Sequence, residues 1–104
     1  MNILAIDKHT SRHDNLNSLL HTQFPKASII IIGKLEGHAT KLDQYSLILI
    51  HVGNSADYTI IYKSNPIKNI IYYTGQFEVL EQDEEGIWAP YDELQAALNL
   101  VSFS

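Results

Sequence analysis

The sequence predicts an α/β domain built on a doubly wound, five-stranded parallel sheet with helices on both faces. Three observations lead there. Leu47-Ile48-Leu49-Ile50 is an unbroken apolar run closed by His51 and the loop-forming Gly53 and Asn54. A strand covered on both faces reads this way, because side chains pointing up or down both meet packed protein. Similar short runs recur along the chain, each ending in a polar or small residue. Between them lie segments of helical length or spacing, and strands alternating with helices imply right-handed crossovers and a parallel sheet.

In order, Ile3-Leu4-Ala5-Ile6 is a buried first strand, ended by Asp7-Lys8-His9. From Ser11 the period becomes helical. Leu16, Leu19, Leu20 and Phe24 share a face, Thr10 or Ser11 can cap the free amides, and Pro25 closes the helix. Ser28 to Ile32 is the second strand. Glu36 to Leu42 has weak periodicity, with Leu35, Ala39 and Leu42 facing inward, and reads as a short helix or an irregular crossover. After the third strand, Ser55 or Asp57 starts a helix carrying Ile60 and Ile61, which Asn65-Pro66 ends. Lys68 to Gly75 holds the fourth strand. Phe77 to Gln82 leaves room for about two helical turns at 3.6 residues per turn. Asp83-Glu84-Glu85-Gly86 reads as a solvated turn and Gly86-Ile87-Trp88-Ala89 as the fifth strand. Asp92 and Gln95 have the spacing of a capping box, followed by the apolar stripe Leu94, Ala97, Leu98 and Val101 of a last helix.

Composition narrows the function classes. The chain of 104 residues suits a single domain over residues 1–104. Its net charge is −5 and its seven Lys and Arg residues are scattered, so the basic stripe of a nucleic-acid-binding surface is missing. It has no cysteine, which excludes disulfides, thiolate zinc sites and cysteine nucleophiles. The apolar runs fall far short of the roughly 20 residues that span a bilayer. No signal-peptide pattern opens the chain. The expectation is a cytoplasmic domain without membrane or nucleic-acid contacts.

In such a sheet the ligand crevice lies beyond the carboxyl ends of the strands, which here are Asp7-Lys8, His51, Thr74 and Ala89-Pro90. The segments "ILAIDKH", "YSLILIHVGN", "IIYYTG" and "GIWAPYDEL", taken in order, resemble the receiver domain of bacterial two-component response regulators. The resemblance covers essentially the whole chain. It implies a flavodoxin-like fold with strand order 2-1-3-4-5, shortened around helix four. In that family two acidic residues after the first strand hold magnesium, and an aspartate ending the third accepts the phosphoryl group. A serine or threonine ends the fourth strand, and a lysine followed by a cis-proline ends the fifth.

Asp7, Thr74 and Pro90 match that pattern, whereas Lys8, His51 and Ala89 depart from it. Aspartyl phosphorylation needs a carboxylate nucleophile and a divalent cation. Lys8 puts a cation where a hard oxygen ligand belongs, and Ala89 lacks the ammonium that in the family contacts the phosphoryl oxygens. Gly86 stands at the family's aromatic switch position. The chain thus resembles a degenerate, or pseudo-receiver, member whose pocket residues Asp7, Lys8, His51, Thr74 and Ala89 no longer carry out the chemistry. His51 is expected to fill the old pocket, hydrogen-bonded to Asp7 or Lys8, rather than to accept a phosphoryl group. Thr74 is expected to bond local backbone.

The functional expectation is a phosphorylation-independent signalling module that binds a protein partner or its own output domain, with homodimerisation as one form. The resemblance places the partner surface at Trp88, Tyr91, Asp92 and Gln95, and Tyr58 and Tyr62 would extend it as an aromatic patch. Neither a cofactor nor a resident metal is expected, and no nucleophile–base set marks an enzyme. The alternative is a small-molecule or metal sensor using the strand-end crevice. His9 and His13, four residues apart, with Asp7 and His51 nearby, have donor types suited to zinc.

Overall fold

The computed structural model describes residues 1–35, 39–53, 55–63 and 69–101. Among these, six strands form one sheet: β1 (Asn2–Ile6), β2 (Ser28–Ile32), β3 (Leu47–His51), β4 (Ile70–Thr74), β5 (Glu81–Asp83) and β6 (Gly86–Pro90). The helices are α1 (His13–Gln23), α2 (Ser55–Lys63) and α3 (Leu94–Leu100), with 3-10 turns at Thr10–Arg12, Ala39–Gln44 and Tyr91–Glu93. Strand order is β2-β1-β3-β4-β6-β5. The first five strands of that order run parallel, and β5 lies antiparallel on the outer edge of β6.

The class is α/β as expected, but the sheet has six strands and is mixed, not five-stranded and wholly parallel. The expected helix over Phe77–Gln82 is absent. Its place is taken by the β5–β6 hairpin, in which Glu81 to Asp83 pair with Trp88 to Gly86. Two turns of isolated helix nucleate poorly, and Asp83 offers the backbone a local alternative. Its Oδ1 accepts from Glu85 N at 2.8 Å and from Gly86 N at 3.2 Å, which closes the turn.

The helices do cover both faces, because alternate residues of each strand feed two cores. Ile3, Ala5, Leu47, Leu49, Ile71, Tyr73, Ile87 and Ala89 pack against Leu16 and Leu20 of α1 and Leu94, Ala97 and Leu98 of α3. Leu4, Ile6, Ile48, Ile50, Ile70 and Tyr72 pack against Leu35, Leu42 and Ile61 of α2. β3 is buried at every position, in accord with its continuous apolar run. Burying each of its Leu and Ile side chains contributes roughly 1.5–3 kcal/mol.

Local details differ from the sequence reading where a tertiary partner competes. Ile61 is buried whereas Ile60 is 43% exposed, since one face of α2 meets the sheet. α2 begins at Ser55, one of the two expected starts, and Asp57 in its first turn accepts through Oδ2 from Leu35 N at 2.9 Å, which ties the helix to the loop after β2. Neither Thr10 nor Ser11 caps α1, which is entered through a 3-10 turn with Arg12 at its N-cap. The Asp92–Gln95 capping box does not form, because Tyr91–Glu93 is another 3-10 turn and Gln95 Nε2 donates instead to Gln23 Oε1 of α1 at 2.6 Å. Asn65-Pro66, Lys68 and the start of the Glu36–Leu42 segment lie outside the described residues.

Candidate functional site

Parallel register aligns the carboxyl ends of the central strands. Ile6 pairs with Ile50, His51 with Tyr73, and Tyr73 with Ala89. Asp7, one residue beyond Ile6, therefore stands in one row with His51, Tyr73 and Ala89 on the face that α1 and α3 cover. The row puts a carboxylate, an imidazole and a phenol side by side.

Asp7 is the hub. It is fully buried, and its carboxylate is held from three directions. Oδ1 accepts from His9 N at 2.9 Å, and Oδ2 accepts from the Tyr73 hydroxyl at 2.8 Å and from Arg12 Nη1 at 3.3 Å. Burial alone would raise its pKa. The bonds from His9, Tyr73 and Arg12, with the nearby His51, outweigh this and hold the carboxyl below the ordinary aspartate range. Tyr73 responds in the opposite sense: burial and then the adjacent Asp7 charge push its phenol far up, so it stays a donor. His13 Nε2 lies 2.6 Å from the Asp7 carbonyl oxygen and donates to it, pinning the loop to the start of α1.

His51 is 6% exposed, with its ring 5.6 Å from that of Tyr73 and edge-on to His9 at 5.3 Å. It packs between these rings, but the expected bond to Asp7 or Lys8 is not what holds it: Nδ1 is buried and without a hydrogen-bond partner among the described residues. Asp7 turns its oxygens to Tyr73 and Arg12, and Lys8 points to solvent. Burial lowers the His51 pKa; the Asp7 charge opposes this, and Arg12, His9 and Lys8 reinforce it. Gly53 abuts the ring, since a Cβ there would lie 2.6 Å from Cε1.

Thr74 is half-buried, and its Oγ1 accepts from Gln76 N at 3.4 Å, a local backbone bond of the expected kind. It lines a cleft of about 420 Å³ together with Arg12, His51, Val52, Gly53, Gly75, Gln76 and Phe77. Ala89 is buried in the core beneath, beside Tyr73. No peptide bond among the described residues is cis, so Pro90 lacks the isomer that the receiver resemblance implies.

The four residues of the expected partner surface separate. Trp88 lies on the α2 side of the sheet, whereas Tyr91 packs on the opposite side, 5.9 Å from Tyr73 and with the Arg12 guanidinium 4.9 Å above its ring. Asp92 and Gln95 are exposed around the start of α3. Trp88 instead joins α2: it stacks on Tyr72 at 4.1 Å, and Tyr58, Tyr62 and Phe77 each stand 6.2 Å away. Its indole Nε1 donates to Asp83 Oδ2 at 3.0 Å, so the hairpin turn also orients the tryptophan.

That bond is readable, because Trp88 is the one tryptophan of the chain. The Trp88 bond, then those from Glu85 and Gly86, holds the Asp83 carboxyl below its ordinary 3.8. The Trp88 contact is therefore complete above pH 3.8 and is lost as pH falls through the lower folded value. Asp83→Ala is expected to change Trp88 emission at neutral pH and to abolish its acid titration; an unchanged titration would assign that signal to another group.

Sequence reasoning missed Arg12 and Tyr73. For Tyr73 a signal exists: it immediately precedes the strand-ending Thr74 and faces the small Ala89, which leaves room for a ring. For Arg12 none does, since a 3-10 turn brings it back to Asp7. No helix among the described residues is long and apolar enough to cross a membrane. No protein-family model, curated protein or solved structure matches the chain.

Proposed function

We propose that this chain is a phosphorylation-independent, receiver-like module that acts by binding another protein. The observation that carries the reading is the state of Asp7. Its carboxylate is consumed by Tyr73, Arg12 and the His9 amide, and its strand-end neighbours on β3 and β6 are His51 and Ala89. Magnesium needs several hard oxygen ligands, and one carboxylate already paired with a guanidinium offers a poor start. The parallel strands β2-β1-β3-β4-β6 are compatible with a flavodoxin-like fold, although the antiparallel β5 makes the strand count and full order differ from 2-1-3-4-5.

The aromatic face supports the binding half of the reading. With β5 in place of a helix, the Tyr72–Trp88 stack is flanked by the tyrosines of α2 and by Phe77. Tyr62 is 39% exposed there, and Val79, which lines a cleft with Phe77 and Trp88, is 65% exposed. Exposed aromatics beside aliphatic side chains are what protein interfaces enrich.

Incubation with acetyl phosphate and magnesium, followed by intact mass, is expected to leave the chain unmodified. Stoichiometric gain of one phosphoryl group at neutral pH would sink the reading. For the binding half, affinity capture from the native host should retain a protein with the wild-type chain and lose it with Tyr62→Ser. Equal capture by both would remove the aromatic face from the account.

A further inference from the structure

We propose that Asp7, His9 and His51 form a site for a divalent transition-metal ion of the zinc type, at the carboxyl ends of β1 and β3. One ligand atom from each of the three side chains lies within 4.8 Å of the others. Ligand bonds to zinc are about 2 Å long, so a modest closure of the exposed His9 ring brings the set to coordination distance. Two imidazoles and one carboxylate suit zinc, cobalt or nickel; magnesium and calcium prefer oxygen ligands.

A second observation points the same way. His51 is more than nine-tenths buried, and its Nδ1 has no protein partner among the described residues. A buried polar nitrogen left alone is costly, and coordination through Nδ1 itself supplies the missing interaction. Gly53 lies against the same ring edge, where a Cβ would clash with it, 2.6 Å from Cε1 and 2.9 Å from Nδ1. Asp7 carries the outer support that ligating carboxylates usually have. The Tyr73 hydroxyl donates to Oδ2, which leaves Oδ1 on the side of His9.

Arg12 is the competitor. Its Nη1 lies 3.3 Å from Asp7 Oδ2 and 3.4 Å from His9 Nδ1, so the guanidinium addresses the acceptors a metal would use. His9 Nδ1 also stands 3.3 Å from Asp7 Oδ1, and one nitrogen cannot donate to the carboxylate and accept from Arg12 together. His13 is not in the set, because its Nε2 is taken by the Asp7 carbonyl. The proposal is independent of the aromatic face but shares Asp7 with the phosphorylation-independent reading, since an ion must displace Arg12 from that carboxylate.

Calorimetric titration of chelator-stripped protein with zinc chloride tests it, with cobalt chloride and visible absorption reporting the coordination. The expected result is one saturable ion per chain and a raised thermal midpoint. His9→Ala should weaken binding at least tenfold. Tyr73→Phe should weaken it by about tenfold through the lost carboxylate support, and Arg12→Gln should tighten it. The His9 side chain is 45% exposed, so its variant is expected to fold and keeps the test decisive if His51→Gln does not. Absence of saturable binding, or zinc affinity unchanged by both His9→Ala and His51→Gln, overturns the proposal.

Discussion

Asp7→Ala is expected to lower the unfolding free energy by about 3 kcal/mol, measured by chemical denaturation at neutral pH with Trp88 emission. The substitution removes the acceptor for three donors at once. Tyr73 is fully buried and would keep an orphaned hydroxyl, which costs about 1–3 kcal/mol. Breaking a buried ion pair costs about 3–5 kcal/mol, but the Arg12 side chain is 27% exposed and can turn to water, which moderates the loss. Tyr73→Phe, which deletes one charge-assisted bond, should cost less than Asp7→Ala. A variant within about 0.5 kcal/mol of wild type, the range of ordinary surface substitutions, would show that the network does not hold the loop.

The same network sets the acid limb of stability. The folded pKa of Asp7 is depressed, so its contribution is complete above the ordinary 3.8 and disappears as pH falls through the lower folded value. His51 acts at higher pH. Its folded pKa is depressed below 6.5, so the unfolded chain takes up that proton first and stability declines as pH drops under 6.5. Acidification should therefore weaken the protein in two stages, and His51→Gln should remove the upper one. An unaltered decline between pH 6 and 4 in that variant would assign it to other groups.

Gly86→Ala is expected to destabilise by about 3 kcal/mol. Gly86 has φ +147°, a region that L side chains rarely adopt, and its Cβ would lie 2.5 Å from the Ile70 carbonyl oxygen. Backbone cannot yield as a flexible side chain does, so β6 must shift away from β4. Because Gly86 also closes the hairpin through Asp83, Trp88 emission should change with stability. Gly75→Ala is the control: a Cβ there meets nothing within 4 Å, and the change should be near neutral. Equal effects at both positions would contradict the close β4–β6 approach.

The receiver resemblance led to the expectation that Gly86 stands at an aromatic switch position. In three dimensions it is a glycine imposed by the neighbouring strand.

What was legible in the sequence is what short-range pattern controls. Unbroken apolar runs at Ile3–Ile6, Leu47–Ile50 and Ile70–Tyr73 placed the strands, because full burial leaves no polar face to alternate; the run Ile29–Ile32 placed β2 too, although that edge strand is only partly buried. Helical spacing at Leu16 and Leu20, and at Leu94, Ala97 and Leu98, placed α1 and α3. The strand ends, and with them Asp7 and His51, followed from the α/β architecture. Less legible was the stretch from Phe77 to Asp83, where a hairpin closed by one aspartate outcompetes two turns of unsupported helix. Still further from view were Arg12 and Tyr73. Their roles depend on a 3-10 turn that folds Arg12 back over the strand ends and on a register that sets Tyr73 between His51 and Ala89. By itself the sequence determined that a carboxylate and an imidazole would meet at the strand ends, since parallel strands must finish side by side. Only the tertiary structure decided that Asp7 gives its oxygens to a phenol and a guanidinium while His51 keeps a buried nitrogen without a protein partner. That choice depends on side chains brought together from four separate elements.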